Sequence, residues 1–395
     1  MKQELLHTPE GVRDIYNEEC ERKISLETNI MSLMKEYGYH PIQTPTFEFF
    51  DIFAKEIGST PSKNLYKFFD REGNTLVLRP DITPSIARCA SKYYMDENVP
   101  LRFCYRGNTF INNSSYQGRL KECTQSGAEL IGDSSVDADA EILSLAIQLL
   151  ENAGLKEFQI RVGHVDFLAG LFEAAGFDEE TETSIKELIV NKNFYGVEEI
   201  ISKMDLDPDL QELFGMLSEC VITMELLDTA KEKATNYPKI RASIERLQEL
   251  DELLKLYRAD RYVSYELDMM SELAYYTGII FAGYTFGTGE AIVKGGRYDT
   301  LLTYFGKHAP ATGFALVVDQ LMMALSRQNI SIPVEEQTVW IVYNAQNRAN
   351  AIKIAQKMRK SGEHIEMMRI EADTSRDDME AAAARFHIKD VIYCI

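Results

Sequence analysis

LRFCYRGNTFINNSSYQGRLKECTQSGAELI, residues 101–131, is the stretch on which the fold turns. Two runs with strand character flank the polar segment INNSSYQG, so the whole reads as strand, loop and strand. Gln125 and Glu129 are four residues apart. On a strand, an even spacing sends both side chains to the same face. A core strand that carries an amide and a carboxylate on one face is built around something polar.

Working outward, residues 68–78 repeat the pattern as a hairpin: an aromatic run, a D-R-E-G-N turn, then Thr75 to Leu78. YHPIQTPTFE before it reads as a strand broken by prolines, and Glu18 to Tyr37 as an amphipathic helix, with Ile24, Ile30, Met31, Met34 and Tyr37 near helical spacing. Pro80 to Tyr94 and Asp139 to Ala153 predict helices, and Phe158 to Val162 a strand. From Asp178 to about Asp260 charged, leucine-rich segments dominate, which predicts a helical insertion. Strands return at Arg261 to Leu267, Gly278 to Phe286, Ala291 to Lys294 and Thr312 to Val318, followed by a helix from Asp319 to Arg327. Beyond Pro333 the order is β-α-β-α-β, which predicts a small α/β domain with a mostly parallel sheet over residues 331–395. The expected architecture is α+β: an antiparallel sheet flanked by helices over residues 1–330, interrupted by the insertion.

The composition narrows the partners. With 42 Lys+Arg against 62 Asp+Glu, the net charge of -20 argues against capture of a polyanion, because nucleic-acid binders gain affinity from a basic surface. The six cysteines, Cys20, Cys89, Cys104, Cys123, Cys220 and Cys394, show no C-x-x-C spacing and read as reduced thiols. No histidine pairing suggests a metal site, and no cofactor motif stands out. MKQELLHTPEG lacks an apolar export core, and no apolar run approaches a membrane span, so a cytoplasmic location is expected.

Polar residues recur on other segments that should be core: Arg79-Pro80-Asp81-Ile82-Thr83, Arg102 to Arg106, and Tyr275-Tyr276-Thr277-Gly278. Asp81, Glu129, Gln125, Arg106 and two phenols on converging strands could coordinate a zwitterion, carboxylates taking its ammonium or a ring N–H and the arginine its carboxylate. The competing reading is a set of buried ion pairs that merely knits the sheet together.

These segments resemble, in order, the catalytic core of histidyl-tRNA synthetase, a class II aminoacyl-tRNA synthetase. Residues 38–45 with Glu48 are similar to motif 1, which in that family forms a dimer interface. Tyr105-Arg106 through Gly118-Arg119 to Gln125 resembles motif 2. Leu273 to Gly278 and Gly295-Gly296-Arg297-Tyr298-Asp299 resemble two histidine-specific signatures, and Gly313-Phe314-Ala315 opens motif 3. The resemblance implies that Asp81, Thr83 and Gln125 hold a histidine ammonium group and that Glu129 and Tyr276, with Tyr275 beside them, read its imidazole. It leaves Arg106 as a candidate for the carboxylate.

The nucleotide side departs from the family pattern. The R-x-E of motif 2 reads Arg106-Gly107-Asn108, the adenine-stacking phenylalanine falls at Cys123, and two arginines fall at Ser271 and Gln320. Losing one preorganised donor costs roughly 10²–10³ in rate, so adenylation is not expected. From Ser331 onward 9 Lys+Arg stand against 10 Asp+Glu. That segment resembles a truncated anticodon-binding domain without the basic surface that tRNA needs.

This profile is similar to the regulatory-subunit family of the short-form ATP phosphoribosyltransferase. Membership implies a non-catalytic subunit, self-association through motif 1, and a hetero-oligomer with a separate catalytic chain. It also implies a role in the first step of histidine biosynthesis and in feedback inhibition by histidine. No phosphoribosyl-diphosphate-binding stretch and no Walker loop is present. A divergent histidine–tRNA ligase and a free-standing histidine-binding protein remain as alternatives. The loops Gly107 to Gln117 and Gly287 to Gly289 are candidates to order on binding.

Overall fold

The computed structural model describes residues 6–53, 60–113, 120–219, 221–270, 275–334, 338–371, 375–386 and 388–395. Its contacts divide the chain into two compact units, Met1–Asn17 with Leu26–Ser331, and Glu18–Ser25 with Ile332–Ile395. The first helix, α1 (Asn17–Glu36), contributes residues to both.

The larger unit opens with β1 (His40–Pro41), β2 (Phe47–Phe49), β3 (Lys67–Phe69), β4 (Thr75–Leu78) and α2 (Thr83–Tyr93). The long hairpin β5 (Leu101–Phe110) and β6 (Glu122–Ile131) follows, then α3 (Val136–Asn152), β7 (Phe158–His164) and α4 (Val165–Ala175). The insertion is helical as expected: α5 (Glu179–Val190), α6 (Phe194–Ile201), α7 (Pro208–Gly215), α8 (Met224–Lys233) and α9 (Pro238–Leu256). The chain then returns through β8 (Val263–Tyr265), β9 (Ile279–Thr285), β10 (Val293–Arg297), β11 (Ala311–Val317) and α10 (Val318–Arg327).

Local chemistry explains why the insertion breaks where it does. Asp178, Asn193, Asp207 and Thr223 each precede a helix and accept a backbone N–H of its first turn, at 2.8, 3.1, 2.8 and 3.2 Å. Such caps are worth about 1 kcal/mol each. Pro238 starts α9, where its missing N–H costs nothing. The helix α3 is apolar nearly all round, with Ile142, Leu143, Leu145, Ala146 and Leu150 buried, which suits a helix packed on a sheet.

Eight strands form the main sheet in the order β1-β5-β6-β11-β10-β9-β7-β8. Its centre is antiparallel, but both edges are not: β1 pairs with β5 and β8 with β7 in parallel. The expected strand over 261–267 shrinks to three residues behind a 3-10 turn at Asp260–Tyr262. The expected strand at 291–294 extends instead to Arg297, which draws Gly295 and Gly296 into the middle of the sheet. A three-stranded sheet, β2-β4-β3, stands apart from it.

The smaller unit has three parallel strands, β13 (Ile365–Arg369), β12 (Val339–Tyr343) and β14 (Asp390–Cys394) in that spatial order, with α11 (Arg348–Lys360) and α12 (Arg376–Arg385). Alternate residues of β12 separate its two cores. Trp340 and Val342 pack with Met379 and Ala383 of α12, and Ile341 packs with Ala351 and Ala355 of α11. Among the described residues no helix is long and apolar enough to cross a membrane.

Candidate functional site

The register of the central strands decides which side chains meet. Glu129 on β6 stands opposite Phe103 of β5 and Gly313 of β11; Gly127 opposite Tyr105 and Ala315; Gln125 opposite Gly107 and Val317. Directly paired residues project from one face, so Gln125, Gly127 and Glu129 share theirs with Phe103, Tyr105 and Gly107. Onto this face folds the segment leading into α2. Thr83 begins that helix, and its backbone N–H donates to Asp81 Oδ1 at 3.2 Å, fixing the turn.

Glu129 is the centre of the site and is 1% exposed. Thr83 Oγ1 donates to its Oε1 at 2.7 Å, and the Tyr298 hydroxyl donates to its Oε2. Asp81 accepts from the Tyr275 hydroxyl at 3.0 Å. Rings close the remaining sides: Tyr275 lies 5.1 Å from Tyr276 and 5.8 Å edge-on from Tyr298, centroid to centroid. Burial pushes the Glu129 carboxyl up to about 8, opposed by the hydroxyls of Tyr298 and Thr83 and reinforced by Asp81. Burial, and then the nearby carboxylates, likewise drive the Tyr105, Tyr275 and Tyr298 phenols well above their ordinary range, so all three stay protonated. Gln125 Oε1 is buried without a hydrogen-bond partner among the described residues. A buried acceptor left unpaired costs about 1–3 kcal/mol, which a ligand donor would recover.

Glycines make the room. A Cβ on Gly313 would stand 1.8 Å from Glu129 Oε2, one on Gly127 2.5 Å from the Tyr105 hydroxyl, and one on Gly296 2.9 Å from the Tyr276 ring. Gly313→Ala should therefore displace Glu129 and cost about 1–3 kcal/mol by overpacking. Denaturant unfolding would read the loss.

Asp81, Thr83, Gln125, Glu129, Tyr275 and Tyr276 thus converge, but Arg106 does not join them. It pairs with Ser126, on the opposite face, where its guanidinium lies 3.1 Å from Glu27 of α1. Asn108 is on that face too, donating to Glu122 at 2.6 Å and accepting from Thr124 at 3.0 Å. The comparison of Arg106-Gly107-Asn108 with R-x-E therefore fails on strand parity. The pocket face continues instead through Gly107, Thr109 and, where Ile111 N–H bonds to Lys121 O at 2.9 Å, Ile111. Arg79 donates through Nε and Nη1 to the carbonyls of Thr44, Pro45 and Asn108, and its Nη2 lies against Gly107. Ser271 lies outside the described residues, as do residues 114–117 of the candidate loop.

Three contributors to the site carry no role in the sequence analysis, although all three stand inside the motifs quoted there: Tyr298, Tyr105 and Gly313. The first two are phenols beside glycine-rich or polar positions, which is the one signal that could single them out. Tyr276 alone of the pocket residues also lines a cavity of about 550 Å³ whose other walls include Leu168 and Phe172 of α4, Lys186 of α5, and Met269. Among the described residues no group of three or more His, Cys, Asp or Glu could hold a metal ion.

The pocket sits in a fold shared with the class II synthetases. The sequence pattern of the family described as histidyl-tRNA synthetase matches residues 11–321. A histidyl-tRNA synthetase from Nostoc, 20% identical, superposes with a TM-score of 0.79 over 97% of this chain and 90% of that one, a likeness of fold alone. Nearer relatives carry another name. The ATP phosphoribosyltransferase regulatory subunit of Ruminiclostridium cellulolyticum is 41% identical over 91% of this chain and 86% of its own, and that of Acetivibrio thermocellus 38% identical over 95% and 89%. A solved structure from Bacillus halodurans, described as an ATP phosphoribosyltransferase regulatory subunit/histidyl-tRNA synthetase, is 32% identical with a TM-score of 0.86, covering 99% of this chain and 98% of that one. The chain belongs to the ATP phosphoribosyltransferase regulatory subunits, a branch built on the histidyl-tRNA synthetase fold.

Proposed function

We propose that this subunit binds free histidine in the Glu129 pocket and passes its occupancy to a catalytic ATP phosphoribosyltransferase chain as feedback inhibition. It serves the first step of histidine biosynthesis without chemistry of its own. The observation that carries the reading is that Glu129, buried, and Gln125, whose Oε1 has no hydrogen-bond partner among the described residues, project from one strand face, with the Tyr275, Tyr276 and Tyr298 rings beside Glu129. Asp81, Thr83 and Gln125 would hold the ammonium, while Glu129 and Tyr276 would take the imidazole N–H groups. A ligand lacking that ring N–H leaves Glu129 buried and unpaired, which discriminates by about 1–3 kcal/mol.

The ligase alternative finds little support on the nucleotide side. Cys123, Thr109 and Ile111 share the pocket face, and none offers a ring for adenine. Lys121 shares it as well, with its stem packed against Gly11. Gln320, on α10, stands where the resemblance expects an arginine. The net charge of -20 also disfavours tRNA. Self-association through residues 38–48 and assembly with the catalytic chain complete the proposal.

Calorimetry on the full chain tests it: histidine should bind with one site per chain, and ATP should release no heat up to millimolar concentration. Saturable ATP binding together with histidine-dependent ATP–pyrophosphate exchange would restore the ligase reading.

A further inference from the structure

Helix α9 belongs to the insertion, yet one of its side chains ends in the framework of the pocket. Asp139, in α3, is 2% exposed, and its carboxylate is divided between two guanidinium groups. Oδ1 accepts from Arg297 Nε at 2.9 Å and lies 2.8 Å from its Nη2. Oδ2 accepts from Arg246 of α9, Nε at 3.1 Å and Nη2 at 2.6 Å. Both arginines also grip the turn before α3: Arg246 donates to Ser134 O at 2.9 Å, and Arg297 to Asp133 O and Ser135 O at 3.0 Å each.

The backbone of Arg297 is equally committed to the pocket. Its carbonyl accepts from Thr277 N–H at 2.8 Å, and Thr277 Oγ1 accepts from Asp299 N–H at 2.9 Å. Thr277 follows Tyr276, and Tyr298 follows Arg297, so this one residue stands between the two chain segments that present those phenols. Gly278 leaves room for its stem, whose Cδ lies 3.1 Å from where a Cβ would be. His164 adds no third cation, because burial, then Arg246 and Arg297, push it down to about 4.

We infer that Arg246 is a positioning residue of the pocket: through Asp139 and Arg297 it ties α9 to the walls carrying Tyr276 and Tyr298, so that ligand occupancy and the seating of α9 are coupled. Two planar guanidinium groups sharing one buried carboxylate fix each other's orientation. A displacement of β10 on binding must therefore be followed by α9 or break hydrogen bonds to a carboxylate that is 2% exposed. The inference rests on the amino-acid reading of the pocket, and the coupling is reciprocal.

Hydrogen exchange and calorimetry on full-length Arg246→Met and Arg246→Lys test it. Methionine keeps an apolar stem, and Asp139 keeps Arg297, so the fold should survive. In the wild type, histidine should slow amide exchange across residues 238–256. R246M should lose that slowing and bind histidine about tenfold more weakly, within the usual range of such couplings. R246K, which keeps the charge without the fork, should recover part of both. An R246M chain that binds within twofold of wild type and keeps the α9 response overturns the inference. If the wild type itself binds no histidine, the pocket reading falls, and ligand-free exchange decides instead. R246M must then speed exchange in β10 (293–297) but not in β12 (339–343), and unchanged exchange in β10 overturns the inference.

Discussion

Glu129→Gln should weaken histidine binding roughly 30- to 150-fold, equivalent to about 2–3 kcal/mol for a hydrogen bond to a charged group, while leaving the fold intact. The amide matches the carboxyl in size; its oxygen still accepts from one of the two hydroxyls, Thr83 or Tyr298, and the other hydroxyl can turn to accept from its NH2, so the pocket keeps its shape. What it loses is the ability to carry a negative charge. Calorimetry of the variant reads the loss directly, and affinity within threefold of wild type would remove Glu129 from the site.

The same residue sets a pH dependence. Its carboxyl stands near 8 in the folded chain against an ordinary 4.5, so the native state holds one more proton than the unfolded chain between those values. The stability it contributes is complete below about 4.5, declines as pH rises and is gone above about 8. For binding, the complex needs one proton shared between Glu129 and the imidazole. A protonated Glu129 with a neutral imidazole already supplies it between about pH 6.5, the ordinary imidazole value, and about 8. Affinity should be flat across that window. Above it Glu129 arrives ionised, and affinity should fall about tenfold per pH unit with uptake of a proton; E129Q should lose that upper limb.

Asp139→Leu should destabilise the chain by about 3–5 kcal/mol, because Arg297, 4% exposed, is left as a buried charge without its main partner. Asp299 stays 3.2 Å away but is itself partly exposed and also accepts from Ala311 N–H. Pairing the change with Arg297→Met removes the orphaned charge, so the double variant should be more stable than D139L alone. Denaturant midpoints of wild type and variants decide it. A double variant no better than the single would mean that the hydrogen bonds of Arg297 to Asp133 and Ser135, and not the charge pair, hold this corner.

Much of this is legible in the sequence. The four-residue spacing of Gln125 and Glu129 placed both on one face, and the register agrees. Strand periodicity also marked the hairpin, and the charged leucine-rich composition marked the helical insertion. The failures have a common cause. Parity along β5 depends on which residue faces which across the hairpin, and a sequence shows only that Arg106 sits near the motif, not that Gly107 is the residue opposite Gln125. Tyr298 and Gly313 reach Glu129 through pairings of β10 and β11 that bridge more than 150 residues. Arg246 finds Asp139 across 107 residues. Local pattern carries no information about such meetings, and the short parallel edges of the sheet escaped for the same reason.

The most direct test of the central claim is the transferase rate of the catalytic chain reconstituted with this subunit, measured against histidine concentration at pH 7.5 for wild type and E129Q. Histidine should inhibit the wild-type complex and leave the E129Q complex active to concentrations at least tenfold higher, in line with the weakened site. Equal inhibition of both complexes would place the sensor elsewhere and contradict the account.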